Sequence, residues 1–147
     1  MKISTRGRYG LRILLDIAIY GTETKPRTIR EVAINQEISE KYISRLIIEL
    51  RKSGLVASVR GAAGGFKLGK SPEDVTILEI FEVMEGQITL VDCINSDLAC
   101  KRTKGCVPRV LWSTINQGIR EIFARYTLKD LIDIHKANSF VEIEYCI

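Results

Sequence analysis

At 147 residues, 46% of them hydrophobic and 27% charged, the chain can bury the core of one globular domain and is too apolar for disorder. Its longest apolar stretch, near Ile13 to Ile19, is broken by Asp16 and falls far short of the roughly 20 residues that span a bilayer. The net charge of +4 is unevenly divided: residues 1–70 hold 14 Lys and Arg against 6 Asp and Glu (+8), residues 71–147 hold 8 against 12 (−4), so the N-terminal half is suited to a polyanion such as DNA.

The start, Met1-Lys2-Ile3-Ser4-Thr5-Arg6, lacks the apolar core and cleavage site of a secretory signal, so the cytoplasm is the expected location. A reducing cytoplasm disfavours disulfides among the four cysteines. Thr5 to Tyr20 reads as a helix, because Leu11, Leu14, Leu15 and Ala18 form one stripe that Ile13 and Ile17 widen. Arg6, Arg8 and Arg12 cluster at its start, where they can reach phosphates. After a loop from Gly21 to Arg27, Thr28 with Glu31 three residues later forms a capping box that opens a short helix.

Gln36 to Ile38 reads as a turn, and Ser39 then caps a second helix running to about Lys52. Ile43, Leu46, Ile47 and Leu50 share its core-facing stripe. The opposite face carries Lys41, Arg45, Ile48 and Lys52, with Ser44 on its flank. Two helices joined by so tight a turn, the second with a basic outer face, read as helix-turn-helix. Gly54 stops the helix, Leu55 to Val59 has strand character, Arg60 to Gly65 makes a Gly-rich tip, and Phe66 to Leu68 returns. This predicts a hairpin wing whose Arg60 either enters a minor groove or is merely solvated. The tip is not a nucleotide-binding loop, because no Gly-Lys-Ser/Thr closes it and no helix follows it.

Ser71 to Asp74 reads as a turn, and Thr76 with Glu79 as a capping box that opens a helix to about Met84, ended by Gly86. From Gln87 a loop carries Cys93, Cys100 and Cys106. Their spacing is not the Cys-x-x-Cys knuckle of a zinc site, which leaves a soft metal centre or free thiols. Pro108 fits the first turn of a long helix to about Tyr126. Its Leu111, Ile115, Ile119, Ile122 and Tyr126 form a seam suited to a dimer interface or to packing on its own domain. Ser139 to Ile147 is an alternating segment containing Cys146. With one histidine, no HExxH and no Gly-x-Ser-x-Gly, the chain offers no local catalytic constellation.

The stretches Met1 to Tyr9, Ile38-Ser39 to Leu50-Arg51-Lys52-Ser53-Gly54-Leu55-Val56, and Ser58-Val59-Arg60-Gly61 to Gly64-Gly65-Phe66-Lys67-Leu68-Gly69, with the cysteine loop, resemble the Rrf2 family of bacterial winged-helix transcription regulators. Within that family they resemble the IscR-type iron–sulfur cluster regulators. The fold so implied is mainly α with a small β-hairpin wing, a winged helix-turn-helix plus a long dimerisation helix. Its parts are a DNA-binding domain over residues 1–85, a cluster-binding loop over 86–107, and the dimerisation helix and C-terminal tail over 108–147.

The function implied is a homodimeric, cluster-sensing regulator of palindromic operators in iron–sulfur biogenesis genes. The alternative is a cluster-independent repressor controlled by a protein or small molecule. Lys41 and Arg45 take the base-reading positions, Ser44 modulates specificity and Arg60 reads the minor groove. Arg6, Arg8, Thr28 and Ser39 complete the DNA-binding set. The side chains at Lys41, Ser44 and Arg45 depart from the best-known members, which implies a different operator preference.

Cys93, Cys100 and Cys106 become ligands of a [2Fe–2S] cluster, favoured over [4Fe–4S]. Such proteins carry a histidine three residues after the third cysteine, where this chain has Arg109, a cation without a lone pair for iron. The fourth ligand then comes from elsewhere, with His135, Cys146, Asp92 and Asp97 as candidates beside helix-1 residues of a partner subunit.

Overall fold

The computed structural model describes residues 3–96 and 100–144, with side chains as far as Asn138. Among the described residues there are six helices, α1 (Thr5–Tyr20), α2 (Ile29–Gln36), α3 (Glu40–Lys52), α4 (Ile77–Glu85), α5 (Val107–Arg125) and α6 (Leu128–Glu144), and one hairpin of β1 (Val56–Val59) and β2 (Gly65–Leu68). The architecture is the mainly helical, winged arrangement that the sequence pattern implies.

Short polar residues start the helices where expected. Ser4 Oγ accepts the Arg6 and Gly7 amides, Ser39 Oγ the Tyr42 amide at 3.3 Å and Thr76 Oγ1 the Glu79 amide at 3.1 Å. The box at Thr28 and Glu31 is reciprocal, with Thr28 N donating to Glu31 Oε2 at 2.8 Å and Glu31 N to Thr28 Oγ1 at 3.2 Å. α2 ends on Glu37 in the left-handed region at φ 55°, a conformation more often given to Gly or Asn, and this makes the reversal into α3 tight.

The core is shared by α1, α3 and α4, whose Ile13, Leu14, Ile43, Leu50, Ile80 and Met84 are fully buried. Each such side chain contributes about 1.5–3 kcal/mol relative to exposure. α1 and α4 come close because Gly10 faces Met84: a Cβ there would lie 2.5 Å from the Met84 side chain. Gly7 faces α4 in the same way, 2.9 Å from the Phe81 ring. Glu85, at the end of α4, accepts the Ser4 amide at 3.1 Å and the Gly7 amide at 2.9 Å, joining the start of α1 to the end of α4.

In the wing Val56 pairs with Leu68 and Val59 with Gly65. A bridge between Arg27 and Phe66, with N–O distances of 2.9 and 2.7 Å, attaches the wing to the loop before α2. Asp16, read from sequence only as a break in an apolar run, lies buried in α1. Its carboxylate accepts from Arg27 Nε at 3.0 Å, from Gln36 Nε2 at 2.8 Å and from the Asn35 amide.

After Tyr126 the structure departs from the tail, alternating from Ser139, that the sequence pattern predicts, and forms α6. The chain is helical through Glu144, while residues 145–147, with Cys146, lie outside the described residues. A missed capping box starts it: Thr127 N donates to Asp130 Oδ2 at 2.7 Å and Asp130 N to Thr127 Oγ1 at 3.2 Å. Leu128 and Ile132 then bury one face, and a helix with a packed first turn propagates at little cost. Its start is tied to that of α4, with Leu128 N donating to Val75 O at 2.8 Å and Ile77 N to Tyr126 O at 2.9 Å.

Candidate DNA interface and cysteine loop

The hydrophobic face of α3 is buried through Ile43, Leu46, Ile47 and Leu50, which turns Lys41, Arg45, Ile48 and Lys52 to the exposed side. Arg8 and Arg60 are exposed as well, Arg60 where β1 enters the wing tip. Among the described residues no ion pair engages Arg8, Lys41, Arg45 or Arg60, so their charge is available to an anionic surface.

The other predicted DNA-binding residues are partly committed within the fold. Arg6 forms an ion pair with Glu49 of α3. Arg12, grouped with Arg6 and Arg8 on sequence, donates to Gln36 Oε1 at 2.9 Å and Gln36 O at 2.8 Å, locking α1 to the end of α2. Ser44 is half-buried and its hydroxyl donates to Glu40 O at 2.7 Å, which leaves only acceptor capacity outward. Thr28 and Ser39 are exposed at the starts of α2 and α3, their hydroxyls engaged as caps.

Cys93 sits half-buried in a 3-10 turn, Asp92–Ile94; Cys100 is exposed; Cys106 is half-buried at the start of α5. Arg109 Nε donates to Cys93 O at 2.9 Å, and buried Asn116 accepts the Leu90 amide at 3.0 Å. Both bonds hold the loop against α5. Gly105, at φ 91°, permits the turn into that helix. A cleft of about 600 Å³ opens there between Ile94, Thr103, Cys106, Arg109 and Ser113.

The three cysteines therefore share a loop but not a ligand sphere. Among the described residues no three His, Cys, Asp or Glu side chains are grouped to hold a metal ion. Their soft thiols suit iron in kind. The arrangement does not fit a cluster, since the thiols are not gathered and Arg109 offers no lone pair. Of the fourth-ligand candidates, Asp92 is exposed beside Cys93, and Asp97 lies outside the described residues with Cys146. His135, on α6, meets the Tyr20 ring edge-on at 6.3 Å between centroids, against the end of α1.

The α5 seam is mostly uncovered. Leu111 is 55% exposed, Ile115 40%, Ile122 52% and Tyr126 48%, while Ile119 is half-buried against the core. Val110 and Trp112 extend the exposed apolar surface.

Residues 3–134 match the family model Rrf2, described as an iron-dependent transcriptional regulator. Protein rrf2 of Nitratidesulfovibrio vulgaris is 37% identical over 132 residues, covering 90% of this chain and 87% of that protein. The solved structure of CymR (YrzC), described as the global cysteine regulator of B. subtilis, superposes with a TM-score of 0.78 at 35% identity, covering 91% of this chain and 98% of that one. That of T. potens IscR gives 0.74 at 32%, covering 92% and 88%.

Proposed function

The chain belongs to the Rrf2 family of transcriptional regulators, and from that premise we propose that it binds palindromic double-stranded operators as a homodimer whose affinity is set by its cysteine loop. It is a regulator and not an enzyme, and no helix among the described residues is long and apolar enough to cross a membrane. The cytoplasm is the compartment in which such a protein meets DNA.

The observation that carries the DNA reading is the exposed basic face of α3, flanked by Arg8 and Arg60. Lys41 and Arg45 point to guanine O6 and N7 in a major groove, Arg60 enters the adjacent minor groove, and Arg8, Thr28 and Ser39 take phosphates. The exposed seam of α5 supports the dimer, since a two-fold protein matches a palindromic site.

A continuous set of contacts supports control by the loop. Arg109 and Asn116 bind it to α5, and Arg120 of α5 pairs with Glu82 of α4 at 2.6 Å. Glu85 of α4 holds the first amides of α1, and Arg6 of α1 pairs with Glu49 of the recognition helix. Reshaping the loop thus shifts the helix that reads bases.

Two identities for the loop's effector are in play. In the first, which requires the loop to rearrange from the conformation described, an iron–sulfur cluster, [2Fe–2S] rather than [4Fe–4S], would draw Cys93, Cys100 and Cys106 together, and the target genes serve cluster biogenesis. In the second, control is cluster-independent, through a small molecule or protein; Arg109 in the place of a ligating histidine, the separated thiols and the likeness to CymR favour it. Iron and sulfide assay with visible absorption of anaerobically purified protein separates them. Colour that disappears on replacing the three cysteines by alanine supports the first. A colourless, iron-free protein that binds operators supports the second, and a protein that prefers no duplex sequence overturns the reading as a whole.

A further inference from the structure

We propose that Ile48 reads thymine, its side chain packing against the C5-methyl group in the major groove. This rests on the DNA-binding reading above and goes beyond it, since the assigned base-reading positions are all polar. A single exposed aliphatic residue is ordinary on a protein surface, so exposure alone argues nothing. Position is what matters here.

α3 has a complete buried stripe in Ile43, Leu46, Ile47 and Leu50, and Ile48 is not part of it, remaining 47% exposed. At about 100° per residue Ile48 projects within roughly 20° of Lys41 and 60° of Arg45 on the helix wheel. On the wheel it therefore borders the basic face beside Lys41, and along the axis it falls between Arg45 and Lys52, so a duplex that engages those cations passes over Ile48. A β-branched side chain is stiff in a helix, so it presents a fixed apolar surface at low entropic cost.

The thymine methyl is the apolar feature among the donors and acceptors that base edges present in a major groove. Against the amino group of cytosine or adenine, Ile48 would strip water from a donor and return no hydrogen bond. Against the thymine methyl it buries apolar surface on both sides. Ile48 lies three residues beyond Arg45, about 4.5 Å along the helix axis at roughly 1.5 Å per residue. The thymine it contacts is thus one or two base pairs, spaced about 3.4 Å, from the base read by Arg45.

The experiment uses duplexes selected from a random pool by the intact wild-type protein, each thymine replaced in turn by deoxyuridine, which removes only the methyl. The expected result is one position per half-site where this weakens wild-type binding about fourfold, the effect of burying one methyl. Ile48→Ala loses that sensitivity and Ile48→Val keeps part of it, with the salt slope unchanged in both because no phosphate contact is removed. An identical deoxyuridine profile in wild type and Ile48→Ala, or no sensitive position at all, overturns the role of Ile48 while leaving DNA binding intact. Failure of the wild type to select any duplex overturns both. Ile48→Val, differing by one methylene at an exposed site, keeps the comparison available should Ile48→Ala lose the fold.

Discussion

The inner helices and the long helix after the cysteine loop spend their apolar side chains in opposite ways. α1, α3 and α4 turn Ile13, Leu14, Ile43, Leu50, Ile80 and Met84 completely inward and present charge outward. α5 does the reverse, since Asn116 is the residue it buries while Val110, Leu111, Ile115 and Ile122 stay exposed. The inner region satisfies its own hydrophobic surface, whereas α5 carries a seam whose burial requires another surface. If the α5 seam is covered by a second subunit as proposed above, stability within a subunit and assembly between subunits fall to different helices, and substitutions separate them.

The largest effect is expected inside the inner region. Asp16 is buried and charged, with Arg27 and the amides of Asn35 and Gln36 gathered on its carboxylate. Asp16→Ala leaves the largely buried Arg27 guanidinium with only Glu31, 3.9 Å away, and the Tyr20 ring, a loss of about 3 kcal/mol. Chemical denaturation followed by circular dichroism should show it, with Asp16→Asn intermediate because it keeps an acceptor. A midpoint equal to wild type for Asp16→Ala would mean that the network does not hold α1 to α2.

Next in size is the seam. Leu111→Asp combined with Ile122→Asp should weaken self-association on the order of a hundredfold, about 2.8 kcal/mol. As exposed sites they should change subunit unfolding by less than about 0.5 kcal/mol. Sedimentation equilibrium at several loading concentrations measures the first and denaturation at high dilution the second. An unchanged dimer would move the interface away from α5, and a collapsed fold would place the seam in the subunit's own core.

The DNA face comes third. Arg45→Ala should cost about 1–3 kcal/mol of discrimination between operator and random duplex. Arg8→Ala should weaken both equally and lower the salt slope by about one. Quantitative binding at several salt concentrations distinguishes the two roles. Equal losses on both duplexes for Arg45→Ala would reassign it to the phosphates.

The inner region was also the more legible part. Ser4, Thr28, Ser39 and Thr76 announce helix starts locally, and the stripe of α3 depends only on the residues within it. Relations between distant residues were not legible. Nothing local distinguishes Arg8, which stays exposed, from Arg12, which reaches Gln36, or marks Asp16 as the centre of a network. α6 had a readable signal in Thr127 and Asp130, obscured by the alternation that follows. Spacing placed the three cysteines in one loop but could not determine whether their sulfurs meet, because loop conformation is set by contacts such as Arg109 with Cys93 O and Asn116 with Leu90 N.

The smallest expected effect tests a local signal in the inner region by its pH dependence. Glu31 accepts from the Thr28 amide at 2.8 Å and the Thr28 hydroxyl at 3.0 Å, and these bonds, assisted by Arg27 and Lys25, hold its carboxyl below the usual 4.5. A carboxyl whose folded pKa is depressed takes up protons more readily in the unfolded chain. Its contribution is therefore fully present above about pH 4.5 and is lost as pH falls through the lower, folded value. Thr28→Ala removes the cap, about 1 kcal/mol near neutrality. Asp130 and Glu73, lowered by their own hydrogen bonds, and the amide at position 28, which alanine keeps, give wild type and variant the same acid sensitivity, so the difference between the two unfolding curves isolates the bond between Glu31 and the Thr28 hydroxyl. That difference should shrink as the pH is taken below 4.5. A gap that stays constant with pH would leave the Thr28 hydroxyl as a simple cap of the Glu31 amide, uncoupled from the Glu31 charge.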